Sequence, residues 1–388
     1  MNRRMMLQLA GLGALLTAVP APLRALAQQA APALRHRVLL LVELKGGNDG
    51  LNMVAPVADP LYRRLRPNLA IAQDAGLPLK DGLAFNPVMK PLMSSWQGGD
   101  LAILRGIGYP QPNRSHFRSI EIWETASNSE ETLQDGWIAG LLKGNVGSAA
   151  DGIIIGDYEF GPLEGGVMRN VIFDKPEEFI AQAKRMRAIE AQSGGALGHL
   201  LRVRGELLGA TGHLEPIFAD PPKLAVEFPA FPFAQQAKVA AQLIAADAGV
   251  PVLKIAQRGY DTHVNQRVPH DRLLGQLAET LAALRGALIA AGRWNDVLIM
   301  TYSEFGRRVA ENASRGTDHG TAAPHLLMGG KVKGGFHGAQ PRLDDLDAGD
   351  LKFATDYRRL YATVARRWWG IDRDLGRLAA YRPLDLIA

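Results

Sequence analysis

The chain of 388 residues lacks cysteine altogether. Disulfides, a thiol nucleophile and thiolate metal sites are therefore excluded, and any metal must be held by Asp, Glu, His, Ser or backbone oxygen. Long apolar runs are scarce as well. One run near the start, residues 7–19, is shorter than the ~20 residues that a membrane span needs, and no later stretch looks long and apolar enough. We therefore expect no stable transmembrane anchor.

The excess of basic over acidic residues is small. The formal net charge is +5, and residues 1–27 supply three of the basic residues, Arg3, Arg4 and Arg24, and no acidic one, which leaves +2 for the remainder. A nucleic-acid-binding protein needs a concentrated basic face. No nucleic acid is therefore expected among the partners of this protein.

The first 27 residues are organised like an export signal. The pair Arg3 and Arg4 precedes the apolar run, and residues 25–27, Ala-Leu-Ala, supply a cleavage site with small residues at its two ends. Adjacent arginines favour the twin-arginine route, with the twin-arginine translocase as a partner during export. An ordinary Sec signal or an uncleaved anchor is the alternative. The protein is expected to be periplasmic or secreted.

The remaining sequence alternates strand-like and helix-like patterns, which predicts an α/β fold with a mainly parallel sheet. Residues 37–44 are nearly all apolar, as is typical of a strand buried on both faces. Leucines at helical spacing predict an amphipathic helix over residues 271–291. After a linker at 28–36, we expect a single domain over 37–388, with a helical insertion at about 176–233. Further strands are predicted at residues 101–104, 153–155, 250–255, 297–300 and 326–328.

Polar side chains follow the ends of several predicted strands. They are Asn48 and Asp49, the segment 113–116, Asp261 and His263, and Ser303 and Glu304, and a fifth polar segment holds Asp318 and His319. Ligands bind outside the carboxyl ends of strands in open α/β sheets, so these loops are expected to converge. Their carboxylates and imidazoles suit Zn, Mn, Mg or Ca.

Each of these groups also has a plainer explanation. Asp49 is typical of a residue that caps a tight glycine-rich turn. Asp261 and His263 are compatible with a simple hydrogen-bonded pair. Glu304 is compatible with a buried ion pair to Arg307 or Arg308.

Ser115 and Arg114 are the candidate catalytic residues. A helix is predicted to start at Ser115, and the positive end of the helix dipole with its free N–H groups favours an alkoxide or a bound anion. An ordinary N-cap serine is the commoner explanation of such a residue. The guanidinium of Arg114 would hold an anionic oxygen.

Several motifs together resemble the bacterial family catalogued as domain of unknown function 1501. The resemblance runs from about residue 37 to about residue 371, and members of that family commonly carry twin-arginine signals. The motifs are LKGGNDGLN at 44–52, GYPQPNRSHFRS at 108–119, DTH at 261–263, SEFGRRVAEN at 303–312, GTDHGTAA at 316–323, TDYR at 355–358 and WG at 369–370.

That family resembles a distant branch of the alkaline phosphatase and sulfatase superfamily. The resemblance implies a central sheet sandwiched by helices, with metal ligands and a Ser or Thr nucleophile at the strand ends. Two registers follow: either Asp318-His319 is the Asp-His pair at a strand end, or Ser303-Glu304 takes that place and His319 is the late histidine. The second fits the strand order better. His325 ranks below His319, and Glu43 lies nearer a strand end than Asp49.

The sequence thus predicts an exported metal-dependent hydrolase of phosphate or sulfate esters, acting on a small-molecule or polymeric ester. Ser115 would attack, with Arg114 holding an anionic oxygen. Asp261, His263 and His319 are the expected ligands of one divalent metal ion, and Asp49 and Glu304, with Asp318 as a further candidate, those of a second. Because Ser-Glu replaces Asp-His, a second hypothesis stays open: a non-catalytic exported binding or assembly protein of the same fold, with a degenerate or structural metal site.

Overall fold

The computed structural model of the protein describes residue 34 and residues 36–142, 150–165, 168–185 and 195–388. The predicted signal segment 1–27, and the predicted linker apart from residues 34 and 36, lie outside the described residues. The strands are β1 (Val38–Lys45), β2 (Val54–Ala55), β3 (Leu77–Pro78), β4 (Ala84–Phe85), β5 (Leu101–Gly108), β6 (Gly152–Ile155), β7 (Asn170–Phe173), β8 (Val252–Arg258), β9 (Val297–Tyr302), β10 (Ala323–Met328), β11 (Gly335–His337), β12 (Leu346–Asp347), β13 (Asp350–Leu351) and β14 (Thr355–Asp356).

Helices alternate with these strands. The α-helices are α1 (Gly50–Met53), α2 (Pro60–Leu65), α3 (Met93–Gly98), α4 (His116–Thr125), α5 (Trp137–Leu141), α6 (Pro176–Arg185), α7 (Gly195–Ala219), α8 (Pro232–Ala245), α9 (Arg267–Ala290) and α10 (Arg358–Thr363). Short 3-10 segments lie at Pro87–Leu92, Gly161–Leu163, Trp294–Asp296 and Gly376–Ala380, and a π-helical turn follows α10 at Val364–Trp368.

One large sheet organises the protein. Its strand order is β11-β5-β10-β9-β1-β8-β6-β7, and β14 also pairs with β5. All neighbours are parallel except β10, which is antiparallel to both β5 and β9. The predicted α/β class with a mostly parallel sheet is confirmed. All six predicted strands are present, and β10 is the one that runs in the opposite direction.

The sheet is buried on both faces. Alternate residues of β1 point to opposite sides: Val38, Leu40 and Val42 join one apolar layer, and Leu39 and Leu41 join the other. Helices α8 and α9 cover the first face, and α4 and α10 cover the second. A strand buried in this way has no polar face, which explains the nearly continuous apolar run in its sequence.

Helix α9 departs from one expectation. By length and composition it is apolar enough to cross a membrane, although no stretch beyond the N-terminal segment was expected to be. More than half of its apolar window is nevertheless buried, and Leu274, Leu277 and Leu281 are fully covered in the core. The buried core helix of a globular protein passes the same test of length and composition. The burial of α9 is that of a core helix.

Helices α6 and α7 lie in the region predicted as a helical insertion, and residues 186–194 between them lie outside the described part of the chain.

The direction of the strands determines which loops lie at the same edge of the sheet. Strands β1, β8 and β9 are parallel neighbours, and β5 runs in the same direction because β10 reverses twice between them. The loops that follow these four strands therefore emerge at one edge of the sheet.

Asp49 lies near this edge in a fully buried ion pair. One of its carboxylate oxygens is 2.6 Å from Nη1 of Arg66, and neither side chain is exposed. Asp49 also accepts hydrogen bonds from Gln266 and from the backbone N–H of Leu51, at the start of α1. Burial would raise the pKa of Asp49, but the charge of Arg66 outweighs burial and lowers it. Asp49 thus joins α1 to the segment that follows α2.

Removing one partner of this pair is expected to destabilise the protein strongly. Arg66→Ala leaves the Asp49 carboxylate buried without a counter-charge, which costs about 3–5 kcal/mol of unfolding free energy. Urea denaturation measures the difference. Arg342→Ala breaks an exposed ion pair with Asp344 and should leave the midpoint unchanged. Equal midpoints for the Arg66 variant and the wild type would contradict a structural role for this pair.

Candidate metal centre

Four side chains from three loops converge at the carboxyl edge of the sheet. His116 opens α4 after β5, Asp261 and His263 follow β8, and His319 lies between β9 and β10. Asp261 Oδ1 is 2.9 Å from Nε2 of His263 and 3.2 Å from Nε2 of His319, and Asp261 Oδ2 is 3.4 Å from Nε2 of His116. The Nε2 atoms of His263 and His319 are 2.9 Å apart. One carboxylate therefore faces three imidazole nitrogens.

These separations suit a bound cation. A tetrahedral site with metal–nitrogen bonds of about 2.0 Å places neighbouring ligand atoms about 3.3 Å apart. Ligand atoms of His116, Asp261 and His319 all lie within 4.8 Å of one another. Two imidazole nitrogens that face each other at 2.9 Å also bring their lone pairs together unless a proton or a cation lies between them. The donor set therefore fits a metal ion.

An acceptor lies beside the other ring nitrogen of each histidine. Metal-binding histidines usually donate this second N–H to a carboxylate or a carbonyl, which fixes the tautomer and leaves Nε2 free for the metal. The Nδ1 distances are 2.9 Å from His116 to Oε1 of Glu304, 2.8 Å from His319 to the backbone carbonyl of Arg114, and 3.5 Å from His263 to Oδ1 of Asp318.

Arg307 forms an ion pair with the Asp261 carboxylate and fixes its position. Its fully buried guanidinium lies 2.7 Å from Oδ1 of Asp261. It also donates to the backbone carbonyls of Gly46, Gly47, Tyr260 and Thr317. Its donors thus bond to the backbone of the three loops that follow β1, β8 and β9.

The glycine-rich turn after β1 makes this close approach sterically feasible. Gly46 and Gly47 both have positive φ, at +115° and +77°, a region that disfavours other residues. A Cβ at Gly46 would lie 2.4 Å from the backbone nitrogen of Asp261, and one at Gly47 would lie 2.3 Å from the ring of Phe305. The turn predicted at these glycines therefore serves to bring its carbonyls to Arg307.

The charges of the centre are set by these contacts. Burial would raise the pKa of Asp261, but the hydrogen bond and the charge of Arg307 lower it to about 2, so the carboxylate is ionised. The hydrogen bond to Glu304 raises the pKa of His116 despite partial burial. Burial lowers the pKa of His319, which favours the neutral form that a metal requires.

Only some of the predicted metal ligands lie at the centre itself. The structure brings together Asp261 and His263, from a strand-end loop, and His319, from the separate polar segment. Glu304 and Asp318 lie further from the centre: Glu304 accepts a hydrogen bond from Nδ1 of His116, and Asp318 lies 3.5 Å from Nδ1 of His263. Asp49 is not at the centre, because it is buried against Arg66.

Glu304 does not form the alternative ion pair with Arg307 or Arg308. Its carboxylate accepts from His116, from the backbone N–H of Gly46 at 2.8 Å and from the hydroxyl of Ser303 at 3.1 Å. The sequence pattern did not select His116 as a candidate ligand. It lies in the polar segment 113–116, directly after Ser115, and this shared loop was the available signal.

The two candidate catalytic residues flank His116 in the chain. Ser115 is exposed at the N-cap of α4, and its side chain makes no capping hydrogen bond. Its backbone N–H donates to the side chain of Asn113 at 2.8 Å. The guanidinium of Arg114 lies 3.0 Å from the carboxylate of Asp350.

Two residues that the sequence offers as alternative metal ligands, Glu43 and His325, lie apart from the centre. Glu43 is buried in an ion pair with Lys254, at 2.9 Å, and accepts a hydrogen bond from Tyr302. His325 is buried against the ring of Trp123, and burial lowers its pKa to about 3. Its low rank as a metal ligand agrees with this position.

Zinc titration by calorimetry measures the proposed ligand set directly. We expect one ion per chain for the wild type and no measurable binding for His319→Ala, because a tetrahedral set loses a nitrogen. Asp318→Asn, which removes the carboxylate beside Nδ1 of His263 and also alters a contact with Asn312, should weaken binding about 10–100-fold. His36→Ala, at an exposed histidine elsewhere, should change nothing. Undiminished binding by the His319 variant, or tighter binding of Mg²⁺ than of zinc by the wild type, would contradict the assignment.

Replacing Glu304 with Gln should lower the pKa of His116 in metal-free protein. The carboxylate stabilises the protonated imidazole through its hydrogen bond and its charge, and both contributions weaken when the side chain is neutral. Proton NMR of the histidine ring protons against pH measures the shift. Asp318→Asn, which contacts His263 instead, should leave the His116 titration where it is. An unchanged or higher pKa in the Glu304 variant would show that this contact is not made in solution.

Comparison with known proteins gives a family and a set of solved structures. The chain is similar to the PsFucS1 sulfatase from Pseudoalteromonas sp. (13% identity, 95% of this chain and 77% of the other, TM-score 0.41). It is also similar to the lipoteichoic acid synthase LtaP from Listeria monocytogenes (10% identity, 78% and 70%, TM-score 0.35). A third is the C-terminal periplasmic domain of EcEptC from Escherichia coli in complex with Zn (10% identity, 76% and 72%, TM-score 0.38).

No curated protein matches the sequence significantly. Residues 206–378 match the family described as "Protein of unknown function (DUF1501)". This region contains Asp261, His263 and His319, whereas His116 lies before it. The match over residues 206–378 is to the same family that the sequence motifs resemble.

Proposed function

We propose that the protein is an exported, metal-dependent hydrolase of phosphate or sulfate esters. One observation carries the proposal: the Nε2 atoms of three histidines face the Asp261 carboxylate at a solvent-accessible edge of an α/β sheet. Export is supported by the twin-arginine pattern of residues 1–27.

The donor set favours zinc or a similar transition metal over Mg²⁺ and Ca²⁺. His116, His263 and His319 offer nitrogen, and Asp261 offers the only carboxylate among these four, whereas Mg²⁺ and Ca²⁺ prefer oxygen ligands. The charge of Arg307 on that carboxylate further reduces the attraction for a hard cation. A metal bound here would act as a Lewis acid that polarises an oxygen of the ester.

The exposure of the centre favours a catalytic over a structural role. The side chains of His116, Asp261 and His263 are 34%, 46% and 38% exposed. Structural metal sites are usually enclosed by the protein, whereas catalytic sites leave access for a substrate, which can join as a further ligand. With four protein groups at this centre, an ester oxygen would have to bind as a fifth ligand from the exposed side. The competing hypothesis, an exported binding or assembly protein with a structural metal, requires a more enclosed centre than this one.

Ser115 is the proposed nucleophile. Its hydroxyl is exposed at the start of α4 and is adjacent in the chain to His116, and the positive end of the helix dipole stabilises negative charge on an attacking oxygen or on the ester. Attack by Oγ would form a bond to phosphorus or sulfur and break the bond to the leaving alcohol, which departs with a proton. Water would then release the anion and restore the serine hydroxyl.

Turnover of nitrophenyl phosphate and nitrophenyl sulfate by zinc-loaded protein tests the proposal. Ser115→Ala should reduce kcat at least about a thousandfold while it keeps its metal, because only the nucleophile is lost. His319→Ala should lose both turnover and metal. Ser94→Ala, at an exposed serine of α3, is the matched control and should behave like the wild type.

Three outcomes would count against the proposal. Turnover that is insensitive to both site variants would place the activity elsewhere. Protein that binds zinc but hydrolyses neither ester, and unfolds when the metal is chelated, would favour the structural-metal hypothesis. Recovery of the protein from the cytosol alone would contradict export.

A further inference from the structure

A pocket of about 540 Å³ adjoins the metal centre. Phe305 and Arg114 line the pocket and also contact the centre. The ring centroid of Phe305 is 4.9 Å from that of His116 and 4.4 Å from that of His319. The backbone carbonyl of Arg114 accepts from His319. A molecule with one end at the histidines would therefore extend its other end into this pocket.

A buried carboxylate in the wall of the pocket lacks hydrogen-bond donors. The side chain of Asp350 is 2% exposed, and neither of its oxygens accepts a hydrogen bond from the residues that the structure describes. Its neighbours are cations: Arg114 lies 3.0 Å away, outside hydrogen-bonding alignment, and Arg308 lies 3.8 Å away. Buried polar groups are normally hydrogen-bonded. A ligand that offers O–H donors in the pocket would supply the missing bonds.

Asp350 is held rigidly. It opens β13, which pairs with β12 in a hairpin. The two turn residues, Ala348 and Gly349, have positive φ of +50° and +88°, the conformation of a tight hairpin turn. Arg308 donates to the carbonyl of Ala348 at 3.0 Å. The position of the carboxylate is therefore set before any ligand arrives.

Aromatic rings form much of the remaining wall. Tyr109, Trp123, Phe305 and Phe353 line the pocket. Three of them are buried, whereas Phe353 is 39% exposed at the mouth and offers a ring face to a ligand. A pocket with apolar faces and a few fixed polar groups orients a ligand that is itself amphipathic.

We propose that this pocket binds a polyhydroxylated ring, such as a sugar, as the alcohol part of the ester that the metal centre hydrolyses. This inference rests on the proposed function. Hydroxyl groups would donate to Asp350 and accept from Arg114, while the C–H face of the ring packs against Phe353. An amine is disfavoured at Asp350, because Arg114 and Arg308 already place two positive charges beside this carboxylate. Asp350 is then the residue that determines specificity for the leaving group.

Saturation-transfer NMR with irradiation of the aromatic protons tests the proposal on the protein as purified. The probes are methyl glucoside, methyl galactoside and myo-inositol, with cyclohexanol as the matched ring that carries a single hydroxyl. We expect transfer to at least one polyol, and weaker or no transfer to cyclohexanol. Asp350→Asn should lower the affinity about tenfold, since a hydrogen bond to a charged group is lost. Asp344→Asn, an exposed acid of the same region, should not.

Phe353→Ala supplies a second variant if Asp350→Asn unfolds, because Phe353 is partly exposed at the pocket mouth, and it should weaken polyol binding as well. Equal transfer to cyclohexanol, no transfer to any polyol, or polyol binding unchanged in both variants would overturn the proposal. Transfer to tetramethylammonium without transfer to polyols would also overturn it. Because binding requires no turnover, a failed hydrolase proposal would appear as polyol binding without hydrolysis, and failure of this inference as nitrophenyl ester hydrolysis without polyol binding.

Discussion

The guanidinium of Arg307 makes the contacts on which the candidate metal centre depends. It is buried completely and bonds to backbone carbonyls in the turn after β1, in the loop after β8 and in the loop after β9. The same group holds the Asp261 carboxylate at 2.7 Å. A buried cation is costly unless its donors are satisfied, so the loops that satisfy Arg307 are constrained to meet. Asp261, His263 and His319 are carried on two of those loops.

This arrangement also sets the chemistry of the centre. Because Arg307 compensates Asp261, the four converging groups carry little net negative charge, and three of the four donor atoms are imidazole nitrogens. The carboxylates Glu304 and Asp318 act on the histidines through Nδ1. The acids of this edge thus orient and polarise the imidazoles and do not form a cluster of oxygen ligands, which separates a zinc-type site from a site for Mg²⁺ or Ca²⁺.

The fold and much of the site could be predicted from the sequence. Strand ends in a parallel sheet meet at one edge, and this rule selected Asp261 and His263, whereas His319 was selected from a separate polar segment and from the family resemblance. The sequence could not show which acidic side chains face the centre and which face a histidine. Glu304 and Asp318 lie in the right loops, but whether a carboxylate faces the centre or an imidazole Nδ1 depends on shifts of a few ångströms. The place of Asp49 apart from the centre could not be predicted for another reason: its partner Arg66 lies in a later segment, and no sequence pattern links the two. The reversed direction of β10 is likewise a matter of topology that its apolar sequence does not encode.

The central claim is that one metal ion binds to His116, Asp261, His263 and His319. X-ray absorption spectroscopy at the zinc edge of zinc-loaded protein tests it most directly, because the spectrum counts imidazole ligands and measures their distances. The account predicts three imidazole nitrogens at about 2.0 Å together with oxygen, and two imidazoles in His116→Ala. A shell made only of oxygen, or an unchanged imidazole count in that variant, would contradict it.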